Sequence, residues 1–191
     1  MASDKSALRK EYLQKRLELT AKELSRLNEA VLKHFCRLDF DEVRYLHIYL
    51  PIKAKKEVDT MLLIAWLKEN HPEIRIVVPK SDFTASSMQH YALSEVEFKV
   101  SRFGIPEPVS GEEVAIKSID MAVVPLLAVD KRGHRVGYGR GFYDRFLIEC
   151  RPDVKTIGVS FFEPVDEISD VGALDVPLKK CICPSGLIDF P

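Results

Sequence analysis

The chain has 191 residues, of which 46% are hydrophobic and 30% charged, and its formal net charge at pH 7 is -1. This length suits a single domain over residues 1–191, and the composition is that of a folded protein rather than a disordered one. A net charge near zero creates no overall field that would attract nucleic acid or a membrane surface. The N-terminus lacks the apolar core of a signal peptide and no apolar run is long enough to span a bilayer, so we expect a cytoplasmic protein.

The first half of the chain alternates between predicted helices and strands. Apolar residues such as Leu8 and Tyr12 recur on one side of a first helix, and the capping box Thr20-x-x-Glu23 predicts the start of a second. The next predicted elements are, in order, a strand at Val43–Leu50, a helix from about Thr60 to Lys68, a short strand at Ile74–Val78 that Pro79 ends, and a strand at Met88–Leu93.

The second half continues the alternation around a long loop. The predicted elements are a loop at Phe103–Gly111, a buried strand at Met121–Val124 ended by Pro125, a Gly- and Arg-rich loop to Gly141, a helix from about Phe142 to Cys150, a strand at Thr156–Phe161 and a mostly irregular tail. This order predicts an α/β fold, a single-domain three-layer sandwich with a mostly parallel sheet and helices on both faces. Ligands of such sheets bind beyond the carboxyl ends of the strands, where the loop after Val124 must lie.

Cysteines and histidines show no metal-binding pattern. Cys181-x-Cys183 has no second pair at zinc-ligand spacing, so we expect reduced structural thiols. The histidines show no mutual ligand spacing, and none is assigned a catalytic role. The residues concerned are Cys36, Cys150, Cys181 and Cys183, and His34, His47, His71, His90 and His134.

The segment Asp130–Arg145, with the sequence DKRGHRVGYGRGFYDR, carries the strongest functional signal. Its glycines allow the backbone to approach a ligand closely, and its free amides can point at phosphate oxygens. Its arginines supply forked donors suited to phosphate, and the N-terminus of the following helix adds positive partial charge. The spacing matches neither G-x-G-x-x-G nor the Walker pattern. The phosphate-binding candidates are Gly137, Gly139, Gly141, Arg135 and Arg140, and Asp144 is placed to hold a magnesium ion that bridges phosphates.

Further motifs accompany this segment in order along the chain. Asp120, Pro125 and Asp130 lead into it at equal intervals, and the remaining motifs are Lys5-Ser-Ala-Leu8-Arg9, Tyr49-Leu-Pro51, Glu57-Val-Asp59-Thr60, Phe103-Gly104-Ile-Pro106-Glu107-Pro108, Thr156-Ile-Gly158-Val159 and Asp175-Val-Pro177. Together these motifs resemble those of the 5-formyltetrahydrofolate cyclo-ligase family, also called methenyltetrahydrofolate synthetases. The resemblance covers essentially the full length of the chain.

The resemblance implies an ATP- and magnesium-dependent ligase that converts 5-formyltetrahydrofolate to 5,10-methenyltetrahydrofolate, with ADP and phosphate as by-products. It implies that the formyl oxygen is phosphorylated before the ring closes. It also implies that the partners are small molecules, a reduced folate and ATP, rather than nucleic acid or a membrane, and that the protein is a monomer.

The resemblance further implies roles for the residues that match the family's motifs. ATP would be bound by Lys5, Arg9, Arg135, Val136, Gly137, Tyr138, Gly139, Arg140, Gly141, Phe142 and Tyr143. The folate would be bound by Tyr49, Glu57 and Glu107, together with residues 138–142. Arg135, Arg140 and Tyr143 would be catalytic, and Asp144 and Asp175 would hold the metal ion. Tyr138 stands where some relatives carry Arg or Met, so a basic phosphate contact is expected to be absent there.

Other hypotheses stay open at this point. A sugar-phosphate isomerase or CoA-transferase-like enzyme would use a carboxylate in the cleft without ATP. A nucleotide- or folate-binding regulator would keep Gly137–Gly141 without turnover, and nucleic-acid binding has only the basic cluster Lys131–Arg140 to support it. From the residues alone, Lys5 and Arg9 are more typical of a solvated helix surface than of a binding site, and Asp175 is equally compatible with a turn.

Overall fold

The computed structural model describes residues 3–95, 97–100 and 106–191. The helices are α1 (Lys5–Glu18), α2 (Ala21–Phe35), α3 (Thr60–Asn70) and α4 (Phe142–Glu149). The strands are β1 (Tyr45–Ile48), β2 (Arg75–Asp82), β3 (Ser87–Ala92), β4 (Glu97–Val100), β5 (Pro106–Ser110), β6 (Met121–Pro125), β7 (Ala128–Val129), β8 (Arg135–Val136), β9 (Lys155–Val159), β10 (Lys180–Cys183) and β11 (Gly186–Asp189).

Side chains at the N-cap positions set where the first two helices begin. Asp4 accepts a hydrogen bond of 2.8 Å from the amide of Ala7 at the start of α1. Thr20 and Glu23 form the predicted capping box at the start of α2, since Thr20 accepts from the Glu23 amide and Glu23 accepts from the Thr20 amide. Such reciprocal bonds satisfy amides that have no partner within the helix. The sequence prediction for both helices is therefore confirmed.

A seven-stranded sheet forms the centre, in the order β11-β10-β9-β6-β1-β2-β3. The five inner strands are parallel, and the edge strands β3 and β11 are antiparallel to their neighbours. This arrangement confirms the predicted α/β class with a mostly parallel sheet. Two small two-stranded sheets, β4–β5 and β7–β8, lie outside it.

Alternate side chains of the strands build two separate cores. On one face Ile48 and Val123 pack with residues of α2 and α3, such as Phe35 and Leu63. On the other face Val124 packs with residues of α4, in a cluster that also contains Cys181 and Cys183. Because successive strand residues point to opposite faces, both faces are covered and the sandwich has three layers. Helix α1 packs instead on the β7–β8 hairpin.

Four sequence predictions need correction. Strand β2 does not end at Pro79 but continues to Asp82 through its pairing with β3. The hydrogen-bond ladder between β2 and β1 stops at Val77, so Pro79, which has no N–H, lies beyond that ladder and is tolerated. The predicted loop at Phe103–Gly111 contains β5, and residues 103–105 lie outside the described residues. The Gly- and Arg-rich loop contains the β7–β8 hairpin. The tail, predicted to be mostly irregular, adds β10 and β11 to the sheet.

No helix in the described part of the chain has the length and apolar character needed to cross a membrane. All four cysteines lie in that part, and none of them is joined in a disulfide.

Candidate active site

A cavity of about 830 Å³ opens at the carboxyl ends of the parallel strands. Tyr49 and Leu50 follow β1 into it, Pro79 and Ser81 come from the end of β2, and Pro125 ends β6. The rule that ligands of such sheets bind at this edge therefore holds for the position of the cavity. The predicted site residues that line it are Lys5, Arg9, Tyr49, Glu57, Arg135, Val136, Gly137, Tyr138, Gly139, Arg140, Gly141, Phe142, Tyr143, Asp144 and Asp175.

The remaining predicted site residue is Glu107. It belongs to β5, which pairs with β4, but its side chain lies outside the described part of the structure. Its proposed contact with folate therefore stays a prediction.

Helix α1 supplies the cationic side chains at one wall of the cavity. Lys5 forms an ion pair with Asp175, and Arg9 donates a hydrogen bond of 2.9 Å from Nε to the carbonyl oxygen of Gly137. The two residues are four apart, which places them on one face of the helix. Partial burial acts to raise the pKa of Asp175, but hydrogen bonds from Lys5 and the Gly172 amide outweigh it and hold that pKa below its ordinary value.

Arg135 is buried beneath the glycine-rich loop, with only 5% of its side chain exposed. One guanidinium nitrogen donates 2.7 Å to Oδ1 of Asp144, and the other donates to the carbonyl oxygen of Val176. Asp144 Oδ1 also accepts from the Val176 amide at 3.3 Å. Burial lowers the pKa of Arg135, and the charge of Asp144 opposes that shift. Arg135 thus ties β8, α4 and the 175–177 segment together as well as bordering the cavity.

Asp144 and Asp175 are the predicted metal ligands, and both line the cavity. Each carboxylate is already paired with a cation, Arg135 or Lys5. Within the described residues no group of three His, Cys, Asp or Glu side chains could hold a metal ion. Asp144 and Asp175 would therefore hold a magnesium ion only together with ligands that the protein does not supply, such as phosphate oxygens and water.

Two glycines of the loop adopt conformations that a side chain would strain. Gly139 has φ +83°, and a Cβ built there would lie 3.2 Å from Cζ of Arg9. Gly141 has φ +67° and precedes α4 as its N-cap residue, without a side-chain cap. At Gly137 no atom lies within 4 Å of such a Cβ. Positions 139 and 141 thus require glycine, because residues with a Cβ rarely adopt a positive φ.

A buried hydrogen-bonded chain connects the glycine-rich loop to Glu57. The Tyr138 hydroxyl donates 2.6 Å to Oε1 of Glu57 and accepts from Arg16, which is only 5% exposed. Oε2 of Glu57 accepts 2.7 Å from the Ile52 amide. Lys55 Nζ lies 3.9 Å from the centre of the Tyr138 ring, at cation–π distance. The sequence prediction included Glu57 and Tyr138 but not Arg16 or Lys55.

Aromatic side chains form another wall of the cavity. The rings of Phe142 and Phe83 meet edge to face with 5.3 Å between centroids, and Met88 lies nearby in the lining. Arg145 fixes the same corner by donating to the carbonyl oxygens of Ser86 and Arg140 at 2.6 Å. Phe83 and Met88 escaped the sequence prediction because they lie in the β2–β3 turn and strand, whose position beside α4 is a tertiary feature.

The hydroxyl of Tyr143 reaches a buried pair of histidines. It lies 3.2 Å from Nε2 of His47, whose Nδ1 is 3.3 Å from Nδ1 of His90. His90 Nε2 is buried and has no hydrogen-bond partner within the described ranges of the chain. Burial lowers the pKa of both histidines, that of His90 to about 4. β1 and β3 bring His47 and His90 together behind Tyr143, a contact that the sequence analysis did not predict.

Fold and cavity together define a small α/β enzyme with a cationic, glycine-rich ligand site at the carboxyl edge of its sheet. The model of the 5-formyltetrahydrofolate cyclo-ligase family matches residues 1–183, and the chain belongs to that family. It is therefore an enzyme of the ligase class, and the resemblance inferred from the motifs is confirmed.

Individual relatives agree with this assignment. The chain is 30% identical over 173 residues to the 5-formyltetrahydrofolate cyclo-ligase of Mycoplasma pneumoniae, covering 87% of this chain and 92% of that protein. The NMR structure of the 5,10-methenyltetrahydrofolate synthetase of Aquifex aeolicus matches with a TM-score of 0.81 and 32% identity over 97% of this chain and 92% of that chain. The 5,10-methenyltetrahydrofolate synthetase structure from Mycoplasma pneumoniae matches with a TM-score of 0.75 and 28% identity, over 94% and 98% of the two chains.

Proposed function

We propose that the protein converts 5-formyltetrahydrofolate to 5,10-methenyltetrahydrofolate while ATP is converted to ADP and phosphate, with magnesium required. The observation that carries the proposal is that one cavity holds two kinds of wall. Lys5, Arg9 and the loop 135–141 offer cations and amides suited to phosphate, while Glu57 and Phe142 offer an acceptor and an aromatic surface suited to a flat heterocycle. Its volume of about 830 Å³ lies in the upper part of the range of ligand sites.

The chemistry explains why such walls must meet. An amide-type oxygen is a poor leaving group, so the formyl oxygen first takes the γ-phosphoryl group of ATP and ADP leaves. The second folate nitrogen then attacks the activated carbon, and the oxygen departs as phosphate with the ring closed. Formyl oxygen and γ-phosphate therefore need to lie side by side, and positioning with charge stabilisation dominates such phosphoryl transfers.

Each basic residue has a defined part in this proposal. Lys5 and Arg9 bind phosphate oxygens from α1, and Arg140 does so from the loop, where charge develops on the transferred group. A well-aimed donor of this kind contributes about 3 kcal/mol to the transition state. Arg135 is held by Asp144 and by the carbonyl oxygen of Val176. It contributes positive charge at the start of the glycine-rich loop and fixes that loop in place. Bound between Asp144, Asp175 and the phosphates, magnesium would supply further neutralisation of their charge.

Other walls position the folate. Glu57 accepts hydrogen bonds from N–H groups of the pterin, and Tyr49 and Phe142 pack against its rings. Tyr143 also lines the cavity, and its hydroxyl lies 3.2 Å from Nε2 of the buried His47. The free thiols suit the reducing cytoplasm.

The test mixes the protein with 5-formyltetrahydrofolate, ATP and magnesium and follows both the ultraviolet absorption of the methenyl product and the release of ADP. We expect the two products in equal amounts, no product without ATP, and loss of turnover with a chelator that added magnesium restores. Folded protein that binds both ligands without turnover would instead support the regulator hypothesis.

A matched pair of variants tests the cationic wall. Lys5→Ala removes a cavity-lining amine, whereas Lys10→Ala removes an exposed amine of the same helix. We expect Lys5→Ala to lower kcat/KM for ATP by about 100-fold and Lys10→Ala to leave it unchanged. Equal rates in the two variants would remove Lys5 from the site.

A further inference from the structure

Tyr138 lies in the glycine-rich loop, among the residues that were predicted to bind ATP, yet its hydroxyl proton is already engaged. Arg16 can only donate, and the ionised Glu57 can only accept, so the single hydroxyl proton of Tyr138 must point at Glu57. The oxygen then presents only a lone pair to any other group. Phosphate oxygens are also acceptors, so this hydroxyl has no proton to offer them.

Glu57 is held at both of its oxygens. Oε1 accepts from Tyr138 at 2.6 Å, and Oε2 accepts from the Ile52 amide at 2.7 Å. The side chain lines the cavity although the residue is only 7% exposed. Each carboxylate oxygen has a second lone pair, so a carboxylate fixed in this way can still accept a pair of N–H donors from a ligand.

Arg16 explains why the hydroxyl keeps this direction. It is buried, and it donates to Tyr138 and at 3.4 Å to the carbonyl oxygen of Leu126. Among the residues that the structure describes, its Nε has no hydrogen-bond partner. In the described part of the chain it has no carboxylate at ion-pair distance. A buried guanidinium is costly without compensation, and here the negative charge connected to it is that of Glu57, reached through Tyr138.

We propose that Tyr138 is a positioning residue for the folate rather than a phosphate ligand, and that Arg16 acts through it to hold Glu57 in a single orientation. This inference rests on the proposed function and assigns the tyrosine to one of the two substrates. The glycine-rich loop would then serve both ligands. Its backbone would face ATP, and the Tyr138 side chain would orient Glu57, the carboxylate that binds the folate.

The experiment compares Tyr138→Phe with Tyr45→Phe. Tyr45 is a matched control because its hydroxyl also accepts from an arginine, Arg75 at 3.3 Å, and its ring also lies near that guanidinium, but it does not line the cavity. We measure kcat, the KM values for both substrates, and the Kd of 5-formyltetrahydrofolate without ATP by calorimetry. Thermal unfolding of each variant reports folding.

For Tyr138→Phe we expect KM and Kd for 5-formyltetrahydrofolate to rise by about tenfold, the usual effect of losing a hydrogen bond to a charged group, while KM for ATP stays within about twofold. Tyr45→Phe should change none of these constants. In the double variant, Arg16→Met should add less than about twofold to the effect of Tyr138→Phe, because Arg16 acts through the same hydroxyl. Arg16→Lys, which keeps the charge, should fall between wild type and Arg16→Met.

Three outcomes would overturn the inference. A rise in KM for ATP alone would make Tyr138 a phosphate contact. Constants equal to those of Tyr45→Phe would leave it without a role, and fully additive effects of the two substitutions would separate Arg16 from Tyr138. Failure of the proposed function looks different, since wild-type protein would then bind or turn over no 5-formyltetrahydrofolate at all.

Discussion

Replacing Gly139 by alanine is expected to damage both the fold and the proposed nucleotide site. The residue has φ +83°, a conformation that costs an L-residue about 1–2 kcal/mol. The new methyl group would lie 3.2 Å from Cζ and 3.3 Å from one terminal nitrogen of Arg9. Arg9 would have to shift, and its 2.9 Å hydrogen bond to Gly137 would lengthen. We therefore expect about 1–2 kcal/mol less stability and a weaker grip on ATP.

Gly137→Ala is the matched control two positions away. Its φ lies outside the left-handed region and no atom lies within 4 Å of a Cβ built there. Stability should be unchanged or rise by about 0.4–1 kcal/mol, because alanine restricts the unfolded chain. Urea unfolding at 25 °C, followed by the fluorescence of Trp66, the single tryptophan, measures both variants. The reasoning is refuted if Gly139→Ala matches wild type in urea midpoint and in KM for ATP, or if both variants lose equal stability.

Two more predictions concern buried polar groups. Arg135→Ala should abolish turnover and also lower the free energy of unfolding by about 2–3 kcal/mol, because Asp144 loses its partner. The control Arg132→Ala breaks an exposed ion pair and should lower the free energy of unfolding by less than about 1 kcal/mol. Equal urea midpoints for these two variants would contradict this. Burial lowers the pKa of His90 from 6.5 to about 4, so the unfolded chain takes up a proton that the native state refuses, and stability falls as pH drops from about 6.5 to 4. Between pH 7 and 5 the free energy of unfolding should fall by about 2 kcal/mol through His90. Urea midpoints measured at both pH values should show this fall. If a His90→Leu variant lost the same stability between these pH values, the assignment to His90 would be refuted.

The sequence predicted correctly those features that depend on interactions between residues close together in the chain. The capping box at Thr20 and Glu23 and the glycine-rich loop were recognised because helix starts and close backbone approach depend on neighbouring residues. The tail was misjudged because β10 becomes a strand by pairing with β9 and β11, which are brought beside it by the rest of the fold. Pro79 was misjudged because its tolerance depends on where the ladder with β1 ends.

The site divides in the same way. Lys5 and Arg9 were found through a motif, and Arg16 lies close to the same helical stripe, about two turns beyond Arg9, so the spacing was a usable signal for it. No such signal exists for His47 and His90, which are 43 residues apart and meet only through the register of β1, β2 and β3. Phe83 and Met88 belong to the same category.

The ion pair between Lys5 and Asp175 joins residues 170 positions apart. During synthesis α1 therefore leaves the ribosome long before the segment that carries Asp175 exists. Contacts of such long range form late, so this wall of the cavity is complete only when translation is nearly finished. A ligand that depends on the wall can stabilise the folded chain only from that stage on.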